Sequence, residues 1–280
     1  MDTFTIGGDL EVHRLGFGAM RITGPGIWGP PEDPDEAERV LRRVIELGID
    51  LIDTADSYGP EVSENLIAET LHPYPDGLVI ATKGGLLRTG PSQWPRDASP
   101  AHLKEACEGS LRRLRLERID VYQLHSPDPR VGWEDSVGAM KELKDEGKVR
   151  HVGISNVSVD ELERARSIVE VVTVQNRYNL EDRRSEDVLE RCEELGIGFI
   201  PWFPLATGDL ARSGGPLDRI AAAHDAAPAQ IALAWLLARS PVMLPIPGTS
   251  SVEHLEENMR AADIELSEDE VAEIGSASQG

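Results

Sequence analysis

The fold the sequence predicts is α/β: a parallel sheet closed into a (β/α)8 TIM barrel, with an N-terminal β-hairpin closing the bottom. Three observations point to it. Eight short apolar segments rich in Val, Ile and Leu alternate with helix-like stretches, the pattern of βα units rather than of consecutive hairpins. Glycine stands where a helix should stop, directly before a strand, in Glu46-Leu47-Gly48, Asp145-Glu146-Gly147 and Glu194-Leu195-Gly196. The length of 280 residues suits a barrel, which takes about 250 residues as one unit. No shift of composition marks a linker, so residues 1–280 are expected to form a single barrel domain.

Taken in order, the elements are these. Phe4–Ile6 and Glu11–His13 form the hairpin, turned through Gly7-Gly8. The barrel strands are Leu15–Ala19, Leu51–Asp53, Val79–Lys83, Val121–His125, Val149–Ser155, Val171–Asn176, Gly198–Pro201 and Val242–Ile246. Ser99-Pro100 supplies an N-cap and a first-turn proline, while Ser158 with Glu161 and Ser267 with Glu270 have capping-box spacing. A doubly wound dinucleotide fold is the rival, suggested by Gly16-Phe17-Gly18. There the third glycine of G-x-G-x-x-G is replaced by Arg21, and Pro25, Pro30 and Pro31 delay any helix.

The charge balance excludes some partners. With 50 acidic against 28 basic residues the net charge is -22, a surface that repels nucleic acid and anionic membranes. It reads either as an ordinary solvated surface or as adaptation to high salt, where screening weakens self-repulsion. The longest apolar run, Ile231 to Ala238, is too short for a membrane span of roughly 18 residues. The N-terminus carries Asp2 and no apolar h-region, so a cytoplasmic protein without a signal peptide is expected. Cys107 and Cys192 fall in separate predicted helices and read as buried free thiols.

Four polar residues stand at or just beyond the C-terminal ends of three successive predicted strands, where barrels carry their chemistry: Asp53 and Tyr58 in LIDTADSYG, Lys83 in LVIATKGG and His125 in DVYQLHSPD. Each alone has an ordinary structural explanation; together they can make a tyrosine into a proton donor. A phenol titrates near 10 and is a poor acid at neutral pH until a nearby cation stabilises its phenolate. A lysine does this, a carboxylate keeps the lysine charged, and an imidazole fixes the oxygen that receives the proton. The set points to chemistry on a carbonyl. The seven histidines include no HExxH or close pair and there is no cysteine cluster, so no metal site is expected.

At these residues the chain resembles the aldo-keto reductases. The resemblance covers nearly the whole sequence: the hairpin, LGFG at 15–18, IDTADSYG, ATKGG, the strand ending at His125, GISN at 153–156, VQNRYN at 174–179 and IPGTSSVEHLEEN at 246–258. It implies a barrel that binds an extended nicotinamide cofactor, reduces a small-molecule aldehyde or ketone, and uses Asp53, Tyr58, Lys83 and His125 as a catalytic tetrad. It further implies cofactor contacts from Gly18 and Met20, with Ser155, Asn156 and Gln175 on the nicotinamide carboxamide and Trp202 at the position of the family's stacking tyrosine. Leu205 and Thr207 would line the pyrophosphate, and Gly248, Thr249, Ser250, His254, Glu257 and Asn258 would surround the adenosine. Where many members carry a Lys and an Arg for the 2′-phosphate, this chain has Gly248 and His254. NADPH is expected with a modest preference over NADH, its phosphate held by hydroxyls and a helix N-terminus. GPGIWGPP, DSYGPEVSE and SQW at 92–94 resemble the bacterial pyridoxal reductase-like branch, which would make Trp28 and Trp94 walls of an aromatic-aldehyde pocket. The alternative is a cofactor-binding regulatory subunit of the same fold with little turnover.

Overall fold

The computed structural model describes residues 2–205 and 216–277. Strands β1 (Thr3–Ile6) and β2 (Leu10–His13) pair antiparallel, and β3 (Phe17–Gly18), β4 (Leu51–Asp53), β5 (Val79–Gly84), β6 (Ile119–Leu124), β7 (Val149–Ser155), β8 (Val171–Arg177) and β9 (Gly198–Trp202) form one parallel sheet in chain order. Helices α1 (Pro34–Glu46), α2 (Val62–Leu71), α3 (Pro100–Leu114), α4 (Trp133–Asp145), α5 (Val159–Arg166), α6 (Glu186–Leu195), α7 (Pro216–Ala223), α8 (Pro228–Arg239), α9 (Val252–Met259) and α10 (Glu268–Ala277) complete it.

The eighth expected strand, Val242–Ile246, is not a regular strand. It still closes the barrel: the Phe199 N–H donates to Val242 O and the Leu244 N–H to Phe199 O, both at 2.8 Å, and on the other side Gly16 N–H reaches Pro245 O at 2.9 Å. Pro241, Pro245 and Pro247 lack the amide hydrogens a ladder needs, which limits the pairing to these few bonds. The first expected strand is shorter than expected, pairing with β4 only at Phe17–Ile52 and Gly18–Asp53.

Helix ends follow the capping chemistry. Asp33 accepts from Glu36 N–H ahead of Pro34, Ser99 accepts from His102 N–H, and both Ser158–Glu161 and Ser267–Glu270 close reciprocal capping boxes. Gly48, Gly147 and Gly196 each adopt positive φ at the predicted helix stops.

Strand alternation sorts the core into layers. Ile52, Ile80, Tyr122 and Leu124 pack outward against helices, whereas Leu51, Val79, Ala81, Val121 and Ile200 fill the barrel over Ile6, Leu10 and Val12 of the hairpin. The hairpin is thus the floor. Its turn lies on His151, whose Nε2 meets Asp9 Oδ1 at 2.6 Å. Cys107 and Cys192 are buried free thiols, and burial pushes each up to about 12. Among the described residues no single helix is long and apolar enough to cross a membrane.

Candidate active site

Further along four of these strands, the inward face is polar. Asp53, Lys83, Gln123 and Gln175 follow Leu51, Ala81, Val121 and Thr173 on the inward parity of β4, β5, β6 and β8 and form a buried layer above the apolar filling. Lys83 is fully enclosed and uses all three ammonium hydrogens: to Asp53 Oδ1 at 2.6 Å, to Thr54 O at 2.8 Å and to the Tyr58 hydroxyl at 3.3 Å. The other carboxylate oxygen of Asp53 accepts from Gln123 Nε2 at 3.1 Å and Gln175 Nε2 at 2.8 Å. A buried charge pair is tolerable only when its remaining capacity is met this way. Burial pulls the Lys83 ammonium down, but Asp53 and Tyr58 outweigh it and raise its pKa, so Lys83 stays charged.

Tyr58 stands on the loop after β4, buried, with its ring edge-on to His125 (centroids 5.9 Å apart) and to Trp94 (6.4 Å). Lys83 does not bring its hydroxyl below the ordinary phenol range. Burial pushes the phenol up, Lys83 opposes it, and the net direction is upward. Tyr58 therefore holds its proton throughout neutral pH, with the Lys83 ammonium placed beside its oxygen. His125 follows the last residue of β6. Burial first and Lys83 second hold its imidazole well below the usual range, so it is neutral at pH 7. The Ser57 hydroxyl lies 3.5 Å from Nδ1; donation there leaves the ring hydrogen on Nε2, available to an oxygen without a positive charge.

The tetrad anticipated from the sequence is thus brought together, and four partners were missed. Gln123 had a signal, a polar residue at the inward parity between Val121 and His125. Its reach depends on Gly153, where a Cβ would stand 2.8 Å from Gln123 Cγ and 2.3 Å from Thr173 Oγ1. Ser57 had none. Asp56 has an enclosed Oδ1 without a hydrogen-bond partner among the described residues, and burial together with Glu64 pushes its carboxyl well above the usual range. Arg88 lies between the two tryptophans expected to wall the pocket, its guanidinium carbon 3.6 Å from the Trp94 ring centroid and 5.7 Å from that of Trp28. Trp94 therefore meets both Arg88 and Tyr58, whereas Trp28 meets Arg88.

Along the rim, Ser155 Oγ donates to Gln175 O, Asn156 Nδ2 donates to Ser155 Oγ and to His125 O, and Trp202 Nε1 donates to Asn156 Oδ1 at 3.0 Å. Asn156 takes positive φ at this corner. With these donors engaged, the row's remaining capacity is acceptors, Gln175 Oε1 foremost. That set suits the N–H groups of a nicotinamide carboxamide, and the indole of Trp202 beside it is a stacking surface. Met20 is half-buried, Leu205 packs against the main core, and Thr207 lies outside the described residues.

The segment expected to hold a 2′-phosphate differs from expectation. Thr249 Oγ1 accepts from Ser251 N–H, Ser251 Oγ accepts from His254 N–H, and the first amide of α9, Val252 N–H, donates to Glu36 Oε1 at 3.0 Å. The helix start is thus partly occupied by a carboxylate, which works against a second anion. Ser250 and His254 are exposed, Asn258 is buried, and Glu257 O accepts from Gln230. Gly248 has no room for a side chain, since a Cβ would lie 2.5 Å from Gly18 O; Arg21 lies alongside, its Cγ 3.6 Å from that Cβ position. Gly18 is as close-packed, a Cβ there meeting Ile246 O at 2.6 Å.

One surface cavity borders the site and another lies at the far end of the barrel. One of about 360 Å³ opens beside Asn156 and Trp202, while a larger one of about 540 Å³ lies at the opposite end among Gly7, Gly8, Glu170 and Gly196, remote from the tetrad.

Comparisons with known proteins identify relatives of the whole chain. An uncharacterized oxidoreductase of Schizosaccharomyces pombe is 53% identical over 267 residues, covering 95% of this chain and 87% of its own. Pyridoxine 4-dehydrogenase of Escherichia coli is 42% identical, covering 99% of both. A thermostable aldo-keto reductase crystallised with the inhibitor epalrestat superposes with a TM-score of 0.87 at 33% identity, covering 99% of this chain and all of that one. An aldo-keto reductase of Klebsiella pneumoniae in complex with NADPH superposes with a TM-score of 0.84 at 28% identity, covering 99% and 95%. The profile of the Aldo/keto reductase family matches residues 14–279, and with the barrel and its polar layer this places the chain in the aldo/keto reductase family.

Proposed function

We propose that this oxidoreductase reduces an aldehyde to an alcohol with NADPH, that Tyr58 is the proton donor, and that pyridoxal is the leading substrate. The observation that carries the reading is the enclosed Lys83 ammonium, shared between Asp53 and the Tyr58 hydroxyl beside a neutral His125. A bound reduced nicotinamide supplies the hydride. Gln175, with Ser155 and Asn156, would hold its carboxamide, and Trp202 would cover its ring. Tyr58 then donates its proton to the carbonyl oxygen as negative charge develops there, and His125 donates a hydrogen bond to the same oxygen. As the phenolate forms, Lys83 is already bonded to it, and Asp53, pinned by two glutamines, keeps the ammonium in place. NADPH is supported by the complex of the Klebsiella relative. Pyridoxal is supported by the activity named for the Escherichia coli relative and by Trp94 standing edge-on to Tyr58.

Tyr58→Phe tests the assignment, because it removes the acid and leaves the ring. Reduction should fall by about 10²–10⁴-fold, the usual worth of a positioned general acid, while NADPH binding measured by fluorescence is retained. Turnover within about tenfold of the parent would remove Tyr58 from the role. Comparable kcat/KM for pyridoxal and a short aliphatic aldehyde would remove pyridoxal while leaving carbonyl reduction standing.

A further inference from the structure

Arg88, on the loop after β5, makes contacts that the chemistry above does not use. Its Nη1 donates to Ser57 O at 3.1 Å, and its Nη2 donates to Gly26 O at 2.9 Å and Gly90 O at 3.3 Å. The three acceptors belong to the loops that follow β3, β4 and β5. Among the described residues Nε is enclosed without an acceptor, and burial lowers the guanidinium's pKa. A guanidinium held by backbone carbonyls and an indole, with no ion-pair partner among the described residues, is a fixture of the loops rather than a surface charge.

Two of its contacts lead directly to Tyr58. Ser57, whose carbonyl Arg88 holds, precedes Tyr58 in the chain and places its hydroxyl 3.5 Å from His125 Nδ1. Trp94, on whose ring Arg88 stacks, meets Tyr58 edge-on at an interplanar angle of 88°. The indole is therefore fixed by Arg88 against it and Tyr58 at right angles to it. We propose that Arg88 is a positioning residue that locks Trp94 and the Tyr58 loop into one arrangement, so that a flat aromatic aldehyde is presented to Tyr58 in preference to an aliphatic one. The proposal rests on the reading of Tyr58 as proton donor.

The planar fork matters as much as the charge. A lysine ammonium can neither stack flat on an indole nor bridge three carbonyls from one rigid plane. The experiment compares kcat/KM for benzaldehyde and propanal in the parent, Arg88→Ala, Arg88→Gln, Arg88→Lys, Trp94→Leu and the Arg88→Gln/Trp94→Leu double variant. Cofactor Kd and Tm are measured alongside. The parent should favour benzaldehyde, and Arg88→Gln should cut the benzaldehyde-to-propanal ratio by about tenfold or more, the scale of a desolvated cation–π contact. Arg88→Lys should resemble Arg88→Gln, and the double variant should be no worse than Trp94→Leu, because both changes break one unit. Added guanidinium should restore the benzaldehyde rate of Arg88→Ala in part. An unchanged ratio in Arg88→Gln, a parent-like Arg88→Lys, or additive losses in the double variant would overturn the proposal; if Arg88→Gln does not fold, Arg88→Lys and the guanidinium titration decide it. Undiminished reduction of both aldehydes by Tyr58→Phe would instead overturn the reading on which it rests.

Discussion

Replacing Lys83 by Met separates the charges of the buried layer. The ammonium lies 3.3 Å from the Tyr58 oxygen, so at an effective dielectric of about 20 it stabilises a phenolate there by about 5 kcal/mol. Asp53 works in the opposite direction. Its Oδ1 is 2.6 Å from the same ammonium, which puts it within about 6 Å of the phenol oxygen and its repulsion at roughly 3 kcal/mol or more. The pair together therefore favours the phenolate by only about 2 kcal/mol. Lys83→Met removes the attraction and leaves the repulsion, a loss of about 5 kcal/mol and of about 10³–10⁴-fold in the rate of reduction. The Asp53→Asn/Lys83→Met double variant loses only the net 2 kcal/mol or so and should be up to about 10²-fold faster than Lys83→Met. The same comparison holds for stability, since Lys83→Met strands a buried carboxylate at a cost of about 3–5 kcal/mol that the double variant avoids. The assay is single-turnover aldehyde reduction followed by cofactor absorbance, with urea unfolding of each variant. A Lys83→Met enzyme within tenfold of the parent, or a double variant no faster than the single one, would refute the reasoning.

Other expectations follow from named contacts. Asp56 has a folded pKa raised above its unfolded value by burial and by Glu64, so its stabilising contribution is present below the unfolded value and is lost as pH rises through the folded one. Asp56→Asn should therefore raise Tm, with an advantage that grows from acid toward neutral pH; a constant or shrinking advantage in a pH series of melts would contradict this. Gly153→Ala should destabilise the fold by about 1–3 kcal/mol in urea, since the added carbon meets Thr173 and Gln123, and a neutral effect would mean that Gln123 has room to shift. His254→Arg on the exposed start of α9 should tighten NADPH severalfold and leave NADH unchanged; equal tightening of both in a binding titration would place residue 254 away from the 2′-phosphate.

Much of the fold was legible because its signals are local. The helix stops at Gly48, Gly147 and Gly196 and the caps at Ser99, Ser158 and Ser267 lie at the predicted residues, since a cap needs only a few neighbours in sequence. The closing strand was misread because its apolar run, Val242–Ile246, has the right composition while its prolines remove the hydrogen-bond donors that would make it regular. Composition reports burial, and Val242, Met243, Leu244 and Ile246 are indeed buried. Backbone pairing is a separate requirement, met here only at Phe199 and Gly16.

The candidate site divides along the same line. Asp53, Lys83 and His125 were legible because polar residues at strand ends in an apolar pattern need a reason to be there, and the barrel gives one place where they meet. The direction of the Tyr58 pKa was not legible. It depends on whether enclosure or the ammonium contributes more, and sequence shows the presence of Lys83 without showing how little water reaches the phenol. Arg88 was invisible for a related reason: an arginine in a polar loop reads as a surface charge until its three carbonyl partners, scattered over residues 26 to 90, are brought together. The segment expected to hold a 2′-phosphate shows the converse. The hydroxyls and the helix start were read as ligands because their types suit a phosphate, yet Glu36, more than 200 residues away in the chain, already holds the first amide of α9. A residue type states what a group can bond; only the fold decides which partner reaches it first.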